Sequence, residues 1–288
     1  MENHLQHLSH GMSGTASFYE LWSPDVMIAT LFLAVLYFAV TGPLHMRFAN
    51  AGPATSKQKG LFVLALVLFY AAMGSPIQYY SHHYLFSVHM FQQAILYFAL
   101  PPLVLLSLPE WLLAGIFRPK PLQVMLRVAT HPIVAALLFN TLFSFYHMPF
   151  IFDAAASNHA LMNLYHLILL CTAFAMWWPI VSPLSDDRHQ LAGLKKMAYI
   201  FANGVLITPA CALIIFASEP LYQYYISAPQ LFPGHSAFSD QRLGGIVMKM
   251  MQELVYGCVL AYVFFNWYKR ERQNELPMEP QHPVLERS

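Results

Sequence analysis

Residues 81–109 read SHHYLFSVHMFQQAILYFALPPLVLLSLP, and this stretch decides the fold. It is long enough to cross a bilayer, yet it carries His82, His83 and His89 at one end and Gln92 and Gln93 just inside. Side chains that need polar partners are costly in hydrocarbon. A charge at the bilayer centre costs roughly 2.5–3.5 kcal/mol even on a gentle insertion scale. A polar cluster entering an apolar helix from one end therefore marks a site, and imidazoles suit copper.

Of the 288 residues, 57% are apolar and 10% charged, with a mean hydropathy of +0.47. The apolar share exceeds the globular norm and the charged share is less than half of it. The chain reads as an integral membrane protein. Its net charge of +1 selects no class of partner, and no nucleic acid is expected. Cys171, Cys211 and Cys258 lie far apart in apolar runs, without a C-x-x-C. They read as core packing, which argues against a thiol relay. No positive n-region precedes the first apolar run and no small-residue cleavage site follows it, so that run reads as a retained helix.

Seven apolar runs cover residues 24–45, 60–80, 84–108, 131–148, 159–181, 196–217 and 243–268. Each has roughly 18–25 residues, the length a helix needs to cross the ~30 Å hydrocarbon core. The expected fold is an all-α, seven-transmembrane-helix bundle. Residues 110–127 read as an interfacial segment broken by Arg118, Pro119, Lys120 and Pro121. Arg47, Lys57 and Lys59 lie in the first connection, Arg118, Lys120 and Arg127 in the third, and Arg188, Lys195 and Lys196 in the fifth. Lys269, Arg270, Arg272 and Arg287 follow the last span. Excess Lys and Arg mark the inner side, so the N-terminus is expected outside and the C-terminus inside. Three parts result: a His-rich outer segment (1–21), the membrane domain (22–268) and a charged inner tail (269–288).

The histidines have the opposite polarity. His4, His7, His10, His82, His83, His89, His147, His159, His166 and His235 fall at or near the outer side. Only His45, His131, His189 and His282 are inner. His89 and His166 sit one to two turns inside their helices, about 8–10 Å deep at ~1.5 Å per residue. His147 ends the fourth span on the same side. His89 and Gln93 are one turn apart, with Gln92 on an overlapping face. His82 shares that stripe if the helix reaches so far, and His159 stands two turns before His166. Met248, Met251 and Gln252 form another helical face, with Lys249 and Glu253 spaced to pair. Imidazole, thioether and amide groups fit copper better than magnesium or calcium, which call for carboxylates; zinc is the lesser alternative. His4, His7, His10 and Met12 could collect metal on the outside.

No nucleophile elbow, phosphate loop or zinc-protease motif is present, so the chain reads as a non-enzyme. Three alternatives stay open. These are haem held by two intramembrane histidines, a transporter with helices broken at Pro101–Pro102 and Pro209, and a metal-free scaffold for a partner subunit.

Four stretches carry a family resemblance: GSPIQYYSHHYLFSVHMFQQAILYFALPPLVLLSLP, FYHMPFIFDAAASNH, FAMWWPIVSP and SDQRLGGIVMKMMQEL. They resemble the CtaG family of bacterial cytochrome c oxidase assembly factors, in order, between Leu21 and Tyr268. The resemblance implies a seven-helix protein of the bacterial plasma membrane that serves maturation of caa-type oxidase by delivering or inserting copper. It draws attention to His83, His89, Met90, Gln92, His147, Asp153, Asp240, Gln241 and Met248. Many members carry H-M-x-Q-H where this chain reads HMFQQ, so Gln93 replaces a second histidine. Tyr146 likewise precedes His147 in place of the W-H-x-P form. The expected metal ligands are His83, His89, His147, His166 and Met248, for copper as the cuprous ion. Asp153 and Asp240 are expected to orient histidines or attract cations. The expected partners are oxidase subunits, a copper donor protein, the lipid bilayer and a second copy of the chain.

Overall fold

A computed structural model describes residues 16–48, 51–116, 119–182, 184 and 190–275. His4, His7, His10 and Met12, with Arg118, Arg188, His189, His282 and Arg287, lie outside the described residues. Among the described residues the chain is helical without strands. A short α1 (Phe18–Leu21) leads into α2 (Pro24–Thr41), then α3 (Ser56–Met73) and α4 (Pro76–His83). Next come α5 (Phe86–Ala94), a π-helical turn (Ile95–Ala99) and α6 (Leu100–Ser107). They are followed by α7 (Glu110–Ile116), α8 (Lys120–Ala129), α9 (Pro132–Tyr146) and α10 (Pro149–Ala156). The chain continues through α11 (His159–Val181), α12 (Gly193–Leu206), α13 (Thr208–Ile215) and α14 (Gln223–Ile226) to α15 (Ala237–Glu275).

Local sequence sets many of these boundaries. Pro24, Pro76, Pro132 and Pro149 each open a helix at its first position, where the missing N–H costs nothing. Thr55 and Gln58 close a capping box at the start of α3. Six helical stretches are long and apolar enough to cross a membrane, or seven if the bent pair α8–α9 counts as one. The fourth expected span is the difference. α9 has only 15 residues, and the Thr130–His131 break turns it 72° from α8. The last span differs too, because α15 runs unbroken to Glu275 and takes Lys269–Arg272 with it. Large apolar side chains such as Phe32, Val35, Phe201, Leu254 and Phe265 face outward. A multi-pass membrane protein presents such a surface to lipid.

The stretch 86–107 is the axis of the bundle. Its most apolar window is 72% buried, against 11% for α2. It packs on α3, α4, α11 and α15. Pro101 and Pro102 do not break this helix. Pro101 cannot donate to the carbonyl four residues back, and that carbonyl, on Tyr97, accepts instead from Trp177 Nε1–H of α11 at 3.1 Å. The π-turn just before the prolines takes up the mismatch. Pro209 does divide α12 from α13. There Lys249 Nζ reaches the Gly204 carbonyl at 3.3 Å and Thr208 Oγ1 at 3.2 Å, while pairing with Glu253 at 2.7 Å. Asn140 Nδ2 donates to Asn203 Oδ1 at 2.8 Å and joins α9 to α12.

Gly244 lets α15 lie against α5. A β-carbon there would stand 2.6 Å from Phe86 Cδ1 and 3.1 Å from Met90 Cγ. Gly244→Ala is therefore expected to destabilise the fold by about 1–3 kcal/mol, the usual cost of overpacking. Thermal unfolding in detergent would show a lowered midpoint, whereas an unchanged midpoint would mean the seam is loose.

Candidate functional site

The site begins at a corner between two helices. α4 ends at His83, the chain turns through Tyr84 and Leu85, and α5 starts at Phe86. Leu85 occupies the N-cap of α5 and has no side chain able to accept a hydrogen bond. Asp240, 154 residues beyond Phe86, supplies the cap. Its Oδ2 accepts from Phe86 N–H at 2.6 Å and Ser87 N–H at 3.3 Å, and its Oδ1 accepts from Ser87 Oγ–H. His235 Nε2 lies 3.4 Å from the same carboxylate. A carboxylate at a helix N-terminus satisfies orphan donors and opposes the positive end of the dipole. Gln92 holds the other arm of the corner. Its amide N–H donates to the Ala72 carbonyl at 2.8 Å and to Gln78 Oε1, and its Oε1 accepts from Ser81 Oγ–H at 2.9 Å.

The corner brings His82 of α4 against His89 of α5, with ring centres 6.1 Å apart. α11 delivers the third ring. Asn158 caps it by accepting from Ala160 and Leu161 N–H, and His166 follows two turns in. His166 stands 5.6 Å from His89 and 6.2 Å from His82, again between ring centres. Of the residues expected from sequence, His89 and His166 thus meet. His147 adjoins them across Tyr146, whose ring lies 5.0 Å from His147, 6.3 Å from His89 and 6.2 Å from His166. His83 turns outward, stacks on Tyr79 at 4.7 Å and is exposed. Met248 is buried on α15, one turn beyond Gly244. Sequence reasoning placed His82 with this group only on the condition of an unbroken helix. The helix is broken, and the Asp240 cap brings His82 in all the same.

Hydrogen-bond accounting sets the tautomer of His147. His147 Nδ1–H donates to the Phe143 carbonyl at 2.7 Å, which leaves its Nε2 lone pair buried and unmatched. Tyr146 O–H donates to Met162 Sδ at 3.1 Å. His89 Nε2 lies 3.1 Å from the Tyr146 oxygen and 3.0 Å from Gln93 Nε2. His89 Nδ1 and Gln93 Oε1 are both buried without a protein partner. His166 Nε2 is likewise buried without a partner. Such groups are rare in native interiors and call for an explanation. Among the described residues, no three His, Cys, Asp or Glu side chains stand ready around a metal ion. Met162 is the thioether found beside the cluster, and periodicity alone gave no reason to single it out.

A tyrosine strap closes the site. From α14 and the residue before it, Tyr222 O–H donates to the His147 carbonyl (3.0 Å), Tyr224 to His82 (2.7 Å) and Tyr225 to Ser81 (2.5 Å). Asp153 holds the strap by accepting from the N–H groups of Gln223 and Tyr224, both at 3.1 Å. Gln241 Oε1 accepts from Leu221 N–H at 2.6 Å. Burial raises all three phenol pKa values, so the tyrosines remain donors. Asp153, Asp240 and Gln241 thus act on the backbone that carries the histidines, through N–H groups.

Asp240→Ala would leave the Phe86 and Ser87 N–H groups unmatched, at a cost of about 1–3 kcal/mol. Hydrogen exchange at these two amides is expected to accelerate while α2 exchanges as before. Unchanged protection there would show that the corner holds without its cap.

Comparison with curated proteins and with solved structures finds no match for the chain. The model of one protein family does match, over residues 35–270, and its description is cytochrome c oxidase caa3 assembly factor. That range takes in the corner, the three rings, the strap and every helix from the second half of α2 to α15. The chain belongs to the cytochrome c oxidase caa3 assembly factor (Caa3_CtaG) family.

Proposed function

We propose that the chain carries one cuprous ion among His82, His89 and His166 and releases it to the oxidase whose assembly it serves. The observation behind this reading is a buried donor set that is neutral throughout. His89 and His166 are 0% and 8% exposed, and each has a buried ring nitrogen that no protein group meets. The nearby carboxylates, Asp153 and Asp240, are engaged with backbone N–H groups. Removing an ion from water costs free energy that rises with the square of its charge, so neutral ligands favour a monovalent ion over a divalent one. Imidazole and thioether donors suit copper, and Met162 lies within reach of the cluster.

Three imidazoles sharing one ion at a metal–nitrogen distance of ~2.0 Å would place their ring centres about 5–5.5 Å apart. The rings here are 5.6–6.2 Å apart. Modest side-chain rotation closes that difference. His147, which adjoins the cluster across Tyr146, is the next ligand in this reading, with its Nε2 buried and unmatched. Met248 offers a soft donor on α15. The Lys and Arg pattern supports a site on the outer side of the membrane, N-terminus outside, where a copper donor and the oxidase centres are accessible. In this reading the chain performs no catalysis. Copper is its cargo, and the bundle supplies binding and orientation.

The test is metal content after loading the detergent-purified protein with cuprous ion and washing. About one copper per chain is expected, with affinity reduced at least about tenfold in His89→Ala and His166→Ala, as for loss of a metal-site residue. Excess zinc should not displace the copper. Full copper retention in both variants would overturn the site. Metal-free protein that still supports oxidase assembly would move the function to subunit docking.

A further inference from the structure

The last helix carries an ion pair that the histidine cluster does not use. Glu253 lies ten residues inside the apolar run 243–268 of α15. At ~1.5 Å per residue it stands about 15 Å below the start of that run, deep within a hydrocarbon core ~30 Å thick. Ionisable side chains at such depth almost always face the bundle interior and find partners there. Lys249 follows the rule. Its ammonium donates to the Gly204 carbonyl at 3.3 Å, Thr208 Oγ1 at 3.2 Å and Gln252 Oε1 at 2.9 Å. Glu253 does not. One of its oxygens accepts from Lys249 at 2.7 Å, the other meets no donor among the described residues, and the side chain is 56% exposed.

The carboxylate sits in the middle of a stripe. Ile246, Met250, Glu253, Gly257, Ala261 and Phe264 recur every three or four residues, and all are exposed. With ~3.6 residues per turn they share one face about 80° wide, and they run about 27 Å along the axis, close to the whole hydrocarbon depth. Glycine inside a helix costs about 1 kcal/mol relative to alanine. Nothing within this chain requires one at 257, where a β-carbon would meet no atom within 4 Å. Gly257 and Ala261, one turn apart, are the small pair that lets a second helix backbone come close in a membrane. Gly244 and Met248, which turn toward the bundle, lie on the opposite side of α15.

We propose that this face of α15 docks a transmembrane helix of the oxidase that the family assembles, one carrying a hydrogen-bond donor side chain level with Glu253. The carboxylate oxygen left over by Lys249 sets that chemistry, because an ionised carboxylate only accepts. A lipid acyl chain has no donor to offer. A second copy of this chain, packed face to face about a two-fold axis, would set two Glu253 carboxylates at one depth in the hydrocarbon, where like charges repel. A donor-bearing helix matches the free acceptor, and its backbone closes over Gly257 and Ala261. The docking face is separate from the histidine cluster and does not rest on the copper reading.

Photo-crosslinking in membranes tests the face. Benzoylphenylalanine replaces Met250, or Phe32 on the outward side of α2 as a control, in the full-length chain produced together with the oxidase. Adducts are identified with antibodies to the individual oxidase subunits and to this chain. The expected result is an adduct between position 250 and a membrane subunit of the oxidase, absent from position 32. Gly257→Leu should lower its yield about tenfold, and Glu253→Leu about threefold or more, as for loss of close packing and of one interhelical hydrogen bond. Glu253→Gln, which keeps an acceptor, should retain most of the yield. Both substituted side chains face outward, and Lys249 keeps three other acceptors, so thermal midpoints in detergent should hold and show that the variants fold. An adduct with a second copy of the chain, adducts with lipid alone, or equal yields from positions 250 and 32 would overturn the proposal, as would yields unmoved by Gly257→Leu and Glu253→Leu. Copper content is read on the purified chain without the oxidase, so either proposal can fail while the other stands.

Discussion

The arrangement depends on one interaction, the Asp240 carboxylate at the N-terminus of α5. A helix that begins inside a membrane protein exposes backbone N–H groups that water does not reach, and each must find a partner. Leu85 cannot provide one. Because the cap comes from α15, the corner between α4 and α5 exists only when the last helix is docked. The same docking sets Gly244 against Phe86 and places Gln241 under the strap. The histidine cluster is therefore a product of the completed fold. His82 and His89 would separate if α15 moved, although both lie on elements formed much earlier in the chain.

A second constraint is the treatment of polar groups around the cluster. Most are matched twice or more: Gln92 to Ala72, Gln78 and Ser81, and Asp240 to Phe86 and Ser87. The strap tyrosines each have a carbonyl. Against this background the nitrogens of His89, His147 and His166 are unmatched. Leaving a buried polar atom without a partner costs about 1–3 kcal/mol. The three share that state with Gln93 Oε1, Tyr97 Oη, Asn140 Oδ1 and Gln252 Nε2, and the three imidazole nitrogens gathered at one end of the bundle are what the copper proposal rests on.

Much of this was legible in the sequence. Apolar run length gave the helices, because the bilayer fixes how long they must be, and the depth of His89 and His166 along their helices predicted their meeting. The remainder depended on contacts between distant segments. Nothing near residue 85 announces that the cap of Phe86 lies 154 positions later, so the reach of His82 could be stated only conditionally, while His83 entered the expected ligands through the family resemblance. Pro101–Pro102 read as a break because Trp177, the donor that replaces the N–H missing at Pro101, lies on another helix. The fourth span looked continuous because a 72° bend leaves no mark in hydropathy. Tyr146 in front of His147 looked like a departure from the family pattern. In the fold it is the group that joins His89 to Met162.

Under the copper reading proposed above, that bridge bears on how the chain would hold an ion and still release it. A closed four-ligand cage suits permanent structural metal, whereas an open or incomplete shell leaves room for exchange. Here His89 has one nitrogen tied to Tyr146 and Gln93, which fixes its ring, and a second that is unmatched. In the copper reading, a ring oriented in advance would need little reorganisation on binding. Gln93, at the position where the CtaG resemblance implies a second histidine, would orient His89 without adding a strong soft ligand. That exchange would weaken the grip on the ion and keep the geometry of the ring that receives it. If the task is to give the metal away, a rigid site of moderate strength serves it better than a tighter one.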